Sequence, residues 1–393
     1  MWGAAMPPKL GHGKRREAEQ RVVQADSTPP GGSKRPPWLV RGARIEPRRG
    51  GRVLDSAGTR PREGAGSTAG PGRAVWIDLL RGCSILLVMV FHSYIFAAND
   101  TGERSSVLDV VTGTFEPLRM PTMMLLSGLF VPRSLEKGAR PYLVGKLRRI
   151  AYPYLVWSVF MLVFLFVGSL TVGLRFDPAW VGRVFYDPIE HLWFLGYLLA
   201  YFVLAHLTRS LPRVLVIAGA VGLSLLPLAF EWQHFWQLLA FFFVGVAVSG
   251  RVGPRLALST ARGRAWFLLL TTLAVSVGLV VTGLMESFRF WLFPLSLMGI
   301  VGAAGIARRA SSSRVTGGIA FVGRHSIVFY LVHWPVAIVS SEIAAHVLAL
   351  PTLAVSAVNL VAGTAVCTLL AFAYGRSSIV RGLFVAPRRG HRR

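Results

Sequence analysis

Residues 75–98 read VWIDLLRGCSILLVMVFHSYIFAA, a stretch that is apolar along most of its length and yet contains Asp78, Arg81 and His92. A helix needs about 20 apolar residues to cross the hydrocarbon core of a bilayer, so this stretch predicts a membrane span with three ionisable groups inside it. Each such group costs roughly 2.5–3.5 kcal/mol at the bilayer centre even on the lenient insertion scales, and therefore faces a bundle interior or a watery cavity. Asp78 and Arg81 are three residues apart, neighbours on one helix face that can pair. Arg81 and His92 are eleven apart, about three turns, which puts them on one face roughly 16 Å apart along the axis.

The rest of the chain shares this solvent. Of 393 residues 53% are hydrophobic and only 16% charged, too little polar surface to coat one large soluble globule. Apolar runs near 75–98, 107–131, 149–168, 190–208, 214–230, 233–250, 265–284, 288–307, 318–341 and 352–374 predict an all-α, polytopic integral membrane protein of about ten transmembrane helices. With a cytoplasmic N-terminus, 36 Lys and Arg fall in the cytoplasmic segments and four, Arg104, Arg175, Arg183 and Arg289, on the other side. That asymmetry predicts both termini to be cytoplasmic, because a miscount of one helix would scatter the later basic loops across both faces.

The net charge of +25 thus reads as topology. There is no zinc-finger spacing, phosphate-cradling glycine loop or stacking motif, and no nucleic-acid partner is expected. Cys83 and Cys367 lie inside apolar runs, which excludes a disulfide framework and a thiolate metal site; no metal and no bound cofactor are expected. Residues 1–73 carry 15 Lys or Arg against 6 Asp or Glu, with dense Pro and Gly. They predict a disordered basic cytoplasmic tail without the apolar core of a cleaved leader. Residues 74–376 form the membrane domain and 377–393 a second basic cytoplasmic tail. Arg outnumbers Lys 38 to 5, a bias of GC-rich genomes that suggests a bacterial plasma membrane.

Two further basic residues lie in or at the end of spans, Arg119 and Arg324. Arg119 is spaced to pair with Glu116, in a segment broken by Pro117 and Pro121; that pair reads equally as a salt bridge between helices or as part of a substrate site. Lys146, Arg148 and Arg149 belong to the densest basic cluster outside the tails, suited to anionic lipid or to a polyanionic cytosolic donor. His191 and Trp193 read as an interfacial aromatic belt. His333, followed by Trp334 and Pro335, lies at nearly the depth of His92 when both are counted from the cytoplasmic ends of their spans. A cavity shared by the two is one outcome of that count.

Taken together, these residues resemble the acyltransferase 3 family. Ile77-Asp78-Leu-Leu-Arg81-Gly82 and the run to His92 are similar to its first-helix signature, an Arg and a His separated by ten residues. The resemblance continues through Met120-Pro121, Ser127-Gly128, Lys146-Leu-Arg148-Arg149 with Pro153, His191-Leu-Trp193, and Ser326 to Pro335 with Tyr330 and His333. It covers about 74–374. The resemblance implies transfer of an acyl group, commonly acetyl from cytosolic acetyl-coenzyme A as co-substrate, to a hydroxyl of a carbohydrate or glycosylated acceptor. It gives His92 a catalytic role and Arg81, with Asp78, a supporting one. Glu116, Arg119, Lys146, Arg148, Arg149, Trp193 and His333 are the expected substrate-binding residues. Lys146 stands where many members have the first Arg of a pair, and Arg119 where many have His or a small polar residue. Two rivals stand beside this reading. A transporter or flippase of lipid-linked sugars also lines its path with Arg, Asp and His, but the chain has no internal repeat. The other large membrane O-acyltransferase class also uses a His in an apolar run, and the Arg-to-His spacing disfavours it.

Overall fold

The computed structural model describes residues 75–171, 176–249, 261–310 and 313–387. The tail 1–73 and the disorder expected of it lie outside the described residues, as do Arg175, most of the loop 251–264 and the last basic residues from Arg388. The chain divides into Met1–Ser67 and Thr68–Arg393, and the helices named below belong to the second unit.

Among the described residues all regular structure is helical. The principal helices are α1 (Val75–Thr101), α2 (Ser106–Thr114), α3 (Glu116–Gly128), α4 (Ala139–Thr171), α5 (Glu190–Leu207), α6 (Arg213–Leu225), α7 (Phe230–Val248), α8 (Arg262–Val281), α9 (Arg289–Ala307), α10 (Arg314–Arg324), α11 (Ser326–Val347) and α12 (Thr352–Arg376). Seven of them, α1, α4, α5, α8, α9, α11 and α12, are long and apolar enough to cross a membrane. Their outward faces expose Val159, Leu170, Phe267, Val361 and Leu369, a distribution that suits lipid and would aggregate in water.

The other three apolar runs also fold as helices, each with a reason for falling short of the seven. The run at 107–131 is two helices that break at Phe115; Pro117 then sits in the first turn of α3, where its missing N–H costs no hydrogen bond. α6 has 13 residues. α7 has Glu231, Gln233 and His234 near its start and carries Phe241, Phe242 and Phe243, all fully buried, in its second half; it is wrapped by protein, so lipid does not dictate its composition. The run at 318–341 is interrupted at His325, which ends α10 and leaves Arg324 exposed at a helix end.

α1 is the hub of the bundle, packed against α3, α9, α10, α11 and α12. Half of its most apolar window is buried inside the protein, and 61% of that of α11, the two largest shares among the seven. These are the helices that carry His92 and His333. Polar ties fix them: the Asn359 amide of α12 donates to the Ser93 carbonyl at 3.2 Å and accepts from the Ser340 hydroxyl at 2.7 Å. From within α1, the Tyr94 hydroxyl donates to Asp109 at 2.9 Å and accepts the Ser105 N–H at 3.1 Å, closing the turn into α2.

The approach of α10 to α1 depends on two glycines. A Cβ on Gly323 would collide with the Asp78 carbonyl, and one on Gly82 with the Ile319 carbonyl. Gly317, on the same α10, has open space. Gly→Ala in a helix ordinarily adds roughly 0.5–1 kcal/mol, so Gly317→Ala is expected to raise the melting temperature in detergent slightly. Gly323→Ala should reverse that sign and lose on the order of 1–3 kcal/mol through overpacking. Equal melting temperatures for the two variants would contradict the contact.

Candidate functional site

His92 leaves α1 toward α11, and its Nδ1 lies 2.9 Å from Nε2 of His333. The rings are stacked, with centroids 5.1 Å apart. One further contact decides the tautomers. Nδ1 of His333 is 2.8 Å from the Phe329 carbonyl oxygen, which can only accept, so Nδ1 carries the His333 proton. Nε2 of neutral His333 is then an acceptor, His92 donates to it from Nδ1, and the lone pair of neutral His92 is left on its own Nε2. His333 is buried and His92 half-buried. The result is an oriented imidazole with a basic nitrogen directed away from its partner, the second-group orientation that general-base sites use.

Around this pair stand buried polar atoms with no protein partner. Trp334 packs edge-on against His92 at 4.6 Å and stacks on His191 at 5.0 Å; its Nε1 has no hydrogen-bond partner. Neither ring nitrogen of His191 has one. The Arg119 guanidinium carbon lies 4.0 Å from the Phe91 ring centroid, next to His92 in the chain, and Nη1 is unpartnered. Buried polar groups are nearly always satisfied, so several orphans around one imidazole mark a place built for a polar ligand. Both His333 nitrogens are committed, which disqualifies the three histidines as a metal-ligand set. Elsewhere Asp100, Glu342 and His346 bring ligand atoms within 4.8 Å, but these are partly exposed side chains on the rim of the bundle.

Compared with protein-family models, residues 74–375 match that of the acyltransferase domain, acyltransferase 3. The chain belongs to the acyltransferase 3 family. Neither the comparison with curated proteins nor that with solved structures returns a match. Membership makes the protein a membrane acyltransferase.

The remaining residues singled out in the sequence distribute as follows. Asp78 is buried and Arg81 half-buried on α1, both engaged with neighbouring groups. The pairing of Glu116 with Arg119 is not what forms: Glu116 binds Arg289 of α9 at 2.5 Å, because the partner that tertiary packing supplies lies closer than the one on its own helix. Lys146 stands 3.6 Å over the Phe202 ring. Arg148 donates to the Ala386 carbonyl at 2.9 Å and Arg149 is exposed. Lys146 precedes a π-helical turn of α4, Leu147–Ala151, and Arg148 and Arg149 lie within it; the structure does not bring them to the histidines. Trp193 packs with Tyr197 and His234, apart from His92.

His191, read from sequence as belt, is the residue that joins the site. Glu190 before it adopts φ 48°, an unusual conformation for a residue with a side chain. It turns the chain so that His191 enters the bundle, where the Tyr330 hydroxyl donates to its carbonyl. The His191-Leu-Trp triplet was the available signal, but its composition does not say which of its aromatics turns inward.

The tautomer chain has a spectroscopic consequence. In ¹⁵N-histidine-labelled protein at neutral pH, His92 and His333, assigned by substitution, should both show protonated Nδ1 and unprotonated Nε2. An Nε2-protonated His92 would contradict the hydrogen-bond chain.

Proposed function

We propose that the protein is an O-acyltransferase that moves an acyl group, acetyl by default, from cytosolic acyl-coenzyme A to a hydroxyl of a carbohydrate or glycosylated acceptor, with His92 as general base. The observation that carries this reading is the His92–His333 hydrogen bond, which leaves the lone pair of His92 Nε2 beside unpartnered polar groups. Nε2 takes the proton of the acceptor hydroxyl as its oxygen attacks the thioester carbonyl. The tetrahedral oxyanion collapses, the C–S bond breaks, and the departing thiolate takes the proton from the His92 imidazolium, which returns the base to its starting form. A free Trp334 N–H and a free Arg119 N–H stand ready to hold polar oxygen atoms in place.

In the same reading Arg81, with Asp78, lies nearer the cytosol on α1 and receives the phosphates or pantetheine of the donor; Lys146, Arg148 and Arg149 add positive charge at the entrance. His333 is a positioning residue. Trp193 and its aromatic neighbours offer the flat apolar surface on which sugar rings rest. About ten crossings with both termini in the cytoplasm, in a bacterial plasma membrane, complete the proposal; the charge asymmetry of the loops supports it.

The test is release of free thiol from acetyl-coenzyme A by purified protein supplied with a panel of nitrophenyl glycosides. His92→Ala is expected to lower it by about 10²–10⁴-fold, with membrane insertion and yield unchanged. Full retained activity in that variant removes His92 as the base. A silent thiol assay with every acceptor favours the transporter reading. Substitution of His333 separates orientation from bulk: His333→Gln, whose amide oxygen can accept from His92 Nδ1, should keep more kcat than His333→Leu, and equal losses would deny the orienting role.

A further inference from the structure

Arg119 is 8% exposed, and a guanidinium buried to that degree is costly unless a counter-charge accompanies it. No ion pair supplies one among the described residues. The carboxylate one turn before it, Glu116, is held by Arg289 at 2.5 Å; Arg289 also binds Glu286, whose side chain is 72% exposed. Two guanidinium groups, buried Arg119 and half-buried Arg289, thus stand near the one half-buried carboxylate of Glu116. Arg119 is the one without an ion pair, and it lies close to His92: its guanidinium packs over Phe91, whose ring centroid is 5.2 Å from that of His92, and has Nη1 without a partner. Cation–π contact with Phe91 contributes about 0.5–2 kcal/mol and satisfies no N–H. A guanidinium prong is the group best matched to a carboxylate or phosphate.

We propose that Arg119 is an anion subsite: the molecule that meets His92 carries a carboxylate or phosphate, and Arg119 holds that group while the hydroxyl reaches Nε2. The binding step stands on the burial and the missing partner; the placement of the hydroxyl rests on the acyl-transfer reading above.

Binding is measured on the full-length protein in nanodiscs, without acetyl-coenzyme A, by tryptophan emission, with methyl glucuronide, inorganic phosphate and methyl glucoside as probes. Wild type is expected to bind the glucuronide on the order of 10-fold more tightly than the neutral glucoside. Arg119→Gln should abolish that preference, and Arg119→Lys should keep part of it. Equal affinities in wild type, no saturable response to either anion, or a preference that survives in Arg119→Gln each overturn the proposal. Should Arg119→Gln fail to fold, judged by gel filtration and melting without ligand, the wild-type preference and its reduction in Arg119→Lys decide. Thiol release is scored separately. A silent thiol assay with an Arg119-dependent glucuronide preference refutes acyl transfer and leaves the anion subsite; active thiol release with no charge preference does the reverse.

Discussion

The hydrogen bond between His92 and His333 is the constraint on which the bundle is built. Two imidazoles on helices far apart in the chain must meet inside a solvent that satisfies neither. Their helices therefore occupy the interior: α1 and α11 are the most protein-enclosed of the long spans. Close approach is bought with small residues, as at Gly82 and Gly323 against the carbonyls of the opposing helices. Fine alignment comes from polar ties that lipid cannot loosen. The Phe329 carbonyl fixes the His333 ring, the Cys367 thiol of α12 approaches the same oxygen at 3.8 Å, and Asn359 pins the residue after His92.

Much of this was legible because lipid makes sequence speak in long runs. A hydrocarbon layer demands about 20 apolar residues at a stretch, and so α1, α4, α5, α8, α9, α11 and α12 appear where such runs lie. Elements that answer to protein packing were less legible. α7 is buried by its neighbours and can begin with Glu231, Gln233 and His234; the break at His325 has no proline to announce it. At the site, a helix carries its own arithmetic, so eleven residues sufficed to set Arg81 and His92 on one face. Ion-pair choice between helices has no such rule. The i,i+3 spacing of Glu116 and Arg119 permits a pair, but Arg289, far along the chain, takes the carboxylate. His191 was hidden for the same reason, since its burial among Tyr330, His333 and Trp334 is set by tertiary packing that its own segment does not encode.

The choice of a neutral partner for His92 has a chemical consequence. In many general-base sites a carboxylate orients the imidazole and stabilises its charged form. Here no carboxylate contacts either ring among the described residues, and Asp78, the acid on the same helix, is fourteen residues away, about 21 Å along the axis. A buried carboxylate beside the pair would itself need a counter-charge; a second histidine gives orientation without adding charge. The imidazolium formed during the proposed transfer then has no fixed anion to rest against. Its proton has to move on at once to the leaving thiolate, so base and acid work belong to one nitrogen in quick succession.

A site of neutral histidines beside an uncompensated Arg119 also fixes what the substrates must bring. Among the described residues Arg119 has no ion pair and Glu116 is paired with Arg289, whereas both proposed reactants arrive from water with groups of their own. In the proposed reaction a donor rich in phosphate suits the positive charge of Arg81 and of the cluster at Lys146 to Arg149. An acceptor with its own anion suits Arg119. Charge in the transfer complex would then be balanced by the reactants themselves, and the chamber would be electrically complete only when occupied. That arrangement favours binding of the right acceptor through a buried ion pair that no neutral sugar can form, and a neutral competitor would leave the guanidinium unpaired, which is the costlier state.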